Sequence, residues 1–326
     1  MRSIGHTAFG DPAQVLTMTE LPLPVPGPGE IRVKMLLSPI HNHDLWTVRG
    51  QYGIKPALPA TGGSEACGVV DAVGEGVDSP KPGKRVVVSG VAGSWAEYFV
   101  APAARAISLP DSISDEMGCQ LVAMPLSALV LLEDLGLKSG DWMIQNAATG
   151  AVGKAIASIA ASRGINVVCL VRREAGLEEL RTAGIHHVVT TSQSGWADRV
   201  KAIVGDQPIL RAVDSVGGEE SGALLRLLAD GGHLVSFGAM SGKPMELGAG
   251  DLIFKQATVT GFWLSKRLRT IDGTNMARMI GELFRFATTG VLKLPVDQIF
   301  DLADAKAAVT ASVQPGRTGK VLIRGR

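Results

Sequence analysis

The chain has 326 residues, 46% of them hydrophobic and 19% charged, with a formal net charge of +1. That length holds two ordinary domains, and that composition excludes a disordered chain. A charge this close to zero supplies no field to draw nucleic acid or an anionic membrane, so neither is expected as a partner.

Residues 1–36 read as strands and turns. Val15 to Leu21 is a strand candidate, Leu21 to Glu30 (LPLPVPGPGE) is a stiff Pro/Gly bend, and Ile31 to Leu37 alternates like a half-buried strand. In the following SPIHNHDLWTVRGQYG, Pro39 is a break and Asp44 to Arg49 suits a helical turn. Gly62-Gly63-Ser64-Glu65 then leads into ACGVVDAVGEGV, KPGKRVVVSG and SWAEYFVAP, further short strands with glycine turns. Many short strands before any long helix predict a β-barrel-like first domain.

From Asp115 the texture changes. EMGCQLVAMPLSALVLLEDLG reads as helix, with Pro125 as a kink or a new start. Beyond it, strands and helices alternate. The predicted strands are Trp142 to Asn146, Ile165 to Val171, His187 to Thr190, Ile209 to Val216, Leu234 to Gly238 and Ala257 to Leu264. The helices between them are the segment from Val152 to Gly164, then Glu174 to Ala183, Trp196 to Val204 and Glu219 to Ala229. The expected class is α/β, a doubly wound parallel sheet of six strands beside the barrel-like domain. A helix (Ala303 to Val313) and a strand (Lys320 to Arg324) close the chain, and that strand is expected to return to the first domain.

The alternating half begins with WMIQNAATGAVGKAIASIAASRG (Trp142 to Gly164), a strand, a small-residue turn and a helix. Such a unit lets the backbone approach a pyrophosphate and points a helix N-terminus at it. Against the G-x-G-x-x-G pattern, Ala148 replaces the first glycine, while Gly150 and Gly153 hold the other two places. A buried βα unit with no nucleotide accounts for the same residues less fully. A site for NAD puts a carboxylate at the end of the second strand. Here that strand ends in Arg172-Arg173, and a guanidinium can clasp a 2′-phosphate. Glu174 lies two residues late, where the first turn of a helix explains it. The expected cofactor is therefore NADPH.

Several stretches occur in a telling order: SPIHNHD, Gly50-Gln51-Tyr52-Gly53, LPATGGSE, QNAATGAVGK, LVRRE, SVGG, FGAM, LIFK and GFWLSK. Together they resemble the medium-chain dehydrogenase/reductase superfamily over nearly the full chain, and more closely its zinc-free trans-2-enoyl-CoA and enoyl-ACP reductases. The resemblance implies a GroES-like catalytic domain over 1–117 and 268–326 and a Rossmann domain over 118–267. It implies Tyr52 as the catalytic proton donor. It implies cofactor contacts from Thr149, Gly150, Ala151, Val152 and Gly153, from Arg172 and Arg173, from Phe237, Gly238, Ala239 and Met240, from Phe262, Trp263, Leu264 and Ser265, and from Lys320. One departure stands out, since Met124 precedes Pro125 where the family has a cofactor-contacting Asn.

Tyr52 also attracts attention on chemical grounds. It lies in a loop flanked by glycines and prolines (RGQYGIKP), and a phenol can donate a proton or hydrogen-bond a developing oxyanion at neutral pH. Zinc is not expected. The three cysteines, Cys67, Cys119 and Cys169, are scattered, and Gly63-Ser64-Glu65 stands where zinc relatives carry Gly-His-Glu. His41 and His43 could supply two ligands, but no third is evident. The simpler expectation is that Asn42 and Asp44 fix a loop while the two histidines border a cleft. Two other functions fit the outline, a quinone or alkenal reductase and a non-catalytic NADPH-binding protein. A homodimer is expected through the edge strand at Ala257 to Leu264. With no basic-then-apolar leader or membrane-length apolar run, the cytoplasm is the default location.

Overall fold

The computed structural model describes residues 1–325. It divides into two compact units. The first comprises Met1–Ala123, Leu283–Thr288 and Leu294–Arg326, and the second comprises Met124–Glu282 and Thr289–Lys293.

The first unit is built from short strands: β1 (Arg2–His6), β2 (Thr17–Glu20), β3 (Glu30–Pro39), β4 (Ala60–Thr61), β5 (Glu65–Val73), β6 (Arg85–Ser89), β7 (Tyr98–Pro102) and β8 (Ala106–Ser108). Its short helices are α1 (Pro12–Val15), α2 (Asn42–Val48) and α3 (Asp115–Gly118). The chain then forms α4 (Ala123–Leu135), β9 (Trp142–Gln145), α5 (Ala151–Ser162), β10 (Asn166–Val171), α6 (Glu174–Thr182), β11 (Val188–Thr190) and α7 (Trp196–Val204). It continues through β12 (Ile209–Asp214), α8 (Glu219–Leu227), β13 (His233–Ser236), α9 (Ala249–Lys255), β14 (Thr258–Gly261), α10 (Leu264–Arg267) and α11 (Gly273–Thr288). It ends with β15 (Val296–Asp301), α12 (Ala305–Val313) and β16 (Lys320–Arg324).

In the first unit, β3 is the central strand. It pairs antiparallel with β5 over most of its length, with β7 through Glu30–Lys34, and with β16 through Leu37–Pro39. The C-terminal strand thus returns to the first domain as expected. The inward-facing Ile31, Val33 and Met35 of β3 are wholly buried, with Val86, Val88, Trp95, Val321 and Ile323. Gly62 and Gly63 precede β5 and lie flat against the Trp95 indole, where a Cβ on either would overlap the ring. The indole N–H donates to Pro39 O at 3.3 Å.

The second unit is a six-stranded parallel sheet in the order β11-β10-β9-β12-β13-β14. This is the doubly wound order, with its reversal between β9 and β12, where open α/β sheets bind ligands beyond the strand carboxyl ends. Its core joins Ile144, Val168, Leu170, Ala212, Leu224 and Leu234 from strands and helices.

The structure departs from the sequence expectations where patterning was weak. The segment after Asp115 is not one helix: α3 ends at Gly118 and α4 restarts at Ala123, with Pro125 in its first turn, where a missing N–H costs nothing. The strand expected to run from Ala257 to Leu264 stops at Gly261, and Leu264 already lies in α10. α9, α11 and β15 were not foreseen. The first ten residues of α11 extend the second unit to Glu282, beyond the expected limit at 267. That part is tied down by ion pairs, Arg278 to Glu133 at 2.8 Å and Arg163 to Glu282 at 3.0 Å.

The tightest place in the first unit is the β3–β5 pairing at Gly68. A Cβ there would lie 2.6 Å from Val33 Cγ1 and nearer still to the Lys34 carbonyl oxygen. Gly68→Ala is expected to destabilise by about 1–3 kcal/mol through overpacking, read as a lowered midpoint in urea with the denaturant slope unchanged. An unaltered midpoint would show that the strands separate there without cost.

Candidate functional site

A candidate cofactor site is assembled in the second unit. β9 ends at Gln145, and the chain turns through Ala147, which adopts a left-handed φ of +48°. The strained position of the turn is thus an alanine, one residue before the place of the absent first glycine. Gly150 caps α5 with its exposed backbone, and Val152 and Gly153 are buried beneath. Gly153 has to lack a side chain, since a Cβ would come within 2.8 Å of Ala148 Cα and carbonyl oxygen. α6 starts beside the same turn, because a Cβ on Gly176 would lie 3.0 Å from Thr149 Cγ2. Thr149, Gly150, Ala151, Val152 and Gly153 therefore present the start of a 12-residue helix at the carboxyl edge of the sheet, as a pyrophosphate requires.

Arg172 and Arg173 follow the last residue of β10 and are exposed, and neither guanidinium makes a hydrogen bond or ion pair among the described residues. Arg172 lies close enough to Glu220 to counter part of the upward push that burial, Asp214 and Glu219 exert on that carboxyl. Glu174 opens α6, as its position in sequence suggested.

A buried polar hub holds these loops together. Asp214, at the end of β12, is wholly buried. Its Oδ1 accepts from Asn146 Nδ2 at 2.7 Å, Val216 N at 2.9 Å and Gly217 N at 3.0 Å, while Oδ2 accepts from Ser221 Oγ at 2.5 Å. Asn146 Oδ1 in return accepts from Ser215 N at 2.7 Å. Gln145 Nε2 donates to Gly153 O at 2.8 Å. The FGAM loop is laid on this hub. Phe237 N and Gly238 N donate to Asp214 O, and Met240 N donates to Ser215 O. Phe237 then stacks on Phe262, ring centroids 5.8 Å apart. Phe237 and Gly238 are half-buried, Ala239 and Met240 are exposed, and Phe262, Trp263, Leu264 and Ser265 are half-buried at the turn from β14 into α10. The sequence reading missed Asp214. A lone carboxylate closing the apolar run Ile209 to Val213, just before the SVGG glycines, was its signal.

The first unit carries a second cluster. Asp44, in the first turn of α2, is buried; Oδ2 accepts from His41 N at 2.9 Å and Oδ1 from Ser64 Oγ at 2.6 Å. His43 Nε2 meets Ser64 Oγ at 2.7 Å. Asp44 fixes the loop as expected, but Asn42 does not, being exposed; Ser64 is its working partner. His41 and Glu65 are wholly buried and meet at 2.8 Å through Nε2 and Oε2. Glu65 Oε1 accepts from Val122 N and Ala123 N at 3.0 and 2.8 Å, capping the first turn of α4. Tyr52 is half-buried, its ring 5.7 Å from that of His43. Lys320, at the start of β16, joins this cluster, and its ammonium donates to Ile40 O at 3.3 Å.

Burial sets the protonation here. It pushes Glu65 up to about 8, against the pull of the Ala123 and Val122 N–H groups, and holds His41 well below the usual imidazole range, helped by Lys320 and His43. At neutral pH the pair is uncharged, and the carboxyl proton is donated to His41 Nε2. Burial also lowers Lys320 to about 8, an effect that Asp44 opposes and Arg317 reinforces.

Two imidazole nitrogens of this cluster are engaged, while His41 Nδ1 is buried without a hydrogen-bond partner among the described residues. His41 Nε2 serves Glu65, His43 Nε2 serves Ser64, and among the described residues no group of three or more His, Cys, Asp or Glu side chains is arranged to hold an ion. The cluster offers two imidazoles and no arranged third ligand among the described residues. The cofactor turn, by contrast, fits a dinucleotide.

Comparisons with known proteins agree with this geometry. A family described as alcohol dehydrogenase GroES-like domain matches residues 27–111, and one described as zinc-binding dehydrogenase matches residues 151–280. Mitochondrial enoyl-[acyl-carrier-protein] reductase of Bos taurus is 34% identical over 330 residues, covering 99% of this chain and 88% of its own. The Arabidopsis thaliana protein of the same name is 32% identical, covering 96% and 86%. The structure of Escherichia coli quinone oxidoreductase complexed with NADPH superimposes with a TM-score of 0.91 at 28% identity, covering 99% of this chain and all of that one.

The Glu65 pair has a pH signature. The folded carboxyl binds its proton more tightly than the unfolded one, whose value is 4.5, so the contribution of Glu65 to stability falls as pH rises from about 4.5 to about 8 and no further above that. Gln is isosteric with the protonated acid and keeps both the donor to His41 and the acceptor for the helix. Glu65→Gln should therefore gain on the wild type steadily over that window in thermal melts, with a constant gap above it. A gap independent of pH would mean that Glu65 is ionised throughout.

Proposed function

Because the chain belongs to the medium-chain dehydrogenase/reductase superfamily, we propose that it is an NADPH-dependent reductase of trans-2-enoyl thioesters, carried on coenzyme A or on an acyl carrier protein. The observation that carries the reading is Tyr52. It is the phenol of a glycine-flanked loop, half-buried against an imidazole, in a chain whose full-length relatives are named enoyl reductases. Fatty acid metabolism is the setting that such a substrate implies.

NADPH, when bound, supplies the hydride that reaches Cβ. Thr149 through Gly153 hold the pyrophosphate with backbone N–H groups at the start of α5. Arg172 and Arg173 take the 2′-phosphate, Phe237–Met240 and Phe262–Ser265 flank the nicotinamide and its ribose, and Lys320 adds a contact from β16. Tyr52 donates its phenolic proton to Cα, or hydrogen-bonds the thioester oxygen as negative charge develops there. A second reading, NADPH:quinone reduction, draws support from the structural likeness to the Escherichia coli enzyme and needs no acid at Tyr52.

Purified protein offered crotonyl-CoA, a longer trans-2-enoyl-CoA and a simple quinone, with NADPH or NADH, separates these readings. Turnover is expected with the enoyl thioesters and NADPH. Tyr52→Phe should lower kcat roughly 10²- to 10⁴-fold with little change in the KM for NADPH. Arg172→Ala with Arg173→Ala should raise the KM for NADPH alone. Turnover only with the quinone, indifferent to Tyr52, selects the second reading, and tight NADPH binding without any acceptor selects a non-catalytic protein.

The protein is further proposed to be a homodimer of the cytoplasm. β14 is an edge strand, and α9, which leads into it, leaves Ile253 59% and Phe254 84% exposed, an apolar pair beside unpaired backbone. All three cysteines are free and buried, which suits a reducing compartment. Sedimentation should give a dimer that Phe254→Glu dissociates; a wild-type monomer would remove this assembly.

A further inference from the structure

One histidine is held with more care than a residue bordering a cleft requires. His43 lies in the first turn of α2, with its Nε2 2.7 Å from Ser64 Oγ. Ser64 has one proton and gives it to Asp44 Oδ1 at 2.6 Å. The serine oxygen must therefore accept from His43, which fixes the proton on Nε2 and the plane of the ring. Asp44 is buried and cannot swing away, since its second oxygen is occupied by His41 N at 2.9 Å.

The faces of the ring are used as well. His43 stacks on His41 with centroids 5.1 Å apart and planes 21° apart, and on Tyr52 at 5.7 Å and 29°. His41 is wholly buried and bonded to Glu65. A series of three flat rings thus begins in the core and ends at Tyr52. Tyr52 needs such a support, because its loop lies outside any helix or strand and follows Gly50, whose φ is +70°.

We propose that His43 is the positioning residue for Tyr52: the Asp44–Ser64 chain orients the imidazole, and the imidazole face sets the direction in which the phenol presents its proton. This rests on the reading of Tyr52 as the acid. The ring is what the function uses, and the nitrogen serves only to hold it. No proton passes through His43, whose neutral form keeps Nε2–H in the bond to Ser64.

A double-mutant cycle with enoyl-CoA and NADPH tests it. His43→Ala should lower kcat roughly ten- to hundredfold, the scale on which misorientation of a reacting group acts, with the KM for NADPH held within about twofold. His43→Phe, which keeps a flat ring and safeguards the fold, should recover most of that loss, whereas His43→Gln, which keeps only a donor toward Ser64, should not. In the Tyr52→Phe background, His43→Ala should cost nothing more, because a residue acting through Tyr52 has nothing left to position. Losses that multiply in the double variant, or a His43→Ala enzyme with wild-type kcat, would overturn the proposal while leaving Tyr52 as the acid. An undiminished Tyr52→Phe enzyme would remove both.

Discussion

The hydrogen bond between Asn146 and Asp214 spans the reversal point of the parallel sheet, and the loops at the strand carboxyl ends of the second unit depend on it. β9 and β12 are neighbours in space but their following helices depart to opposite faces, which opens a gap between the two strand ends. The two side chains close that gap from below. Asp214 gathers the amides of the SVGG turn, and Asn146 gathers Ser215 N, so the loop after β12 cannot move without the loop after β9. The FGAM loop rests on both. A wholly buried carboxylate is costly on its own; four donors around this one offset the loss of water and turn it into a fixed reference for three loops.

The first unit uses the opposite electrostatic solution. Glu65 and His41 lie together in the core as an uncharged pair, because neither receives enough donors or opposite charge to stay ionised there. Asp44, near them, keeps its donors from His41 N and Ser64. The two carboxyl groups of this one small cluster thus differ in what each is bonded to. The result is a polar interior that is rigid without carrying a metal-like charge.

Much of this was legible in the sequence, and the legible parts share a reason. The six strands of the parallel sheet and the returning strand Lys320 to Arg324 are announced by short, largely apolar runs, and α7 from Trp196 to Val204 is closed by Gly205. Tyr52, the Arg172–Arg173 pair and the turn around Gly150 were visible as residues of special chemistry in short motifs. What stayed hidden depends on contacts distant in sequence. α9 starts without a side-chain cap, and the stop of β14 at Gly261 leaves GFWL looking like more strand. The break between α3 and α4 follows from Glu65, 57 positions before Val122, reaching the helix N-terminus. Asp214 looked like one more charge, and Ser64 like a mere substitute for histidine, until their partners were in place.

The glycine pair at 62 and 63 has a consequence for observation. Their missing side chains let the Trp95 ring press flat against the backbone that leads to Ser64 and Glu65, and Trp95 is the one tryptophan of five that is wholly buried. The chain therefore contains its own spectroscopic reporter. Blue-edge emission, shielded from aqueous quenchers, comes from a ring that touches the backbone just ahead of the polar cluster. Any loosening of that segment is written into the colour of the light before it shows in the rate of a reaction.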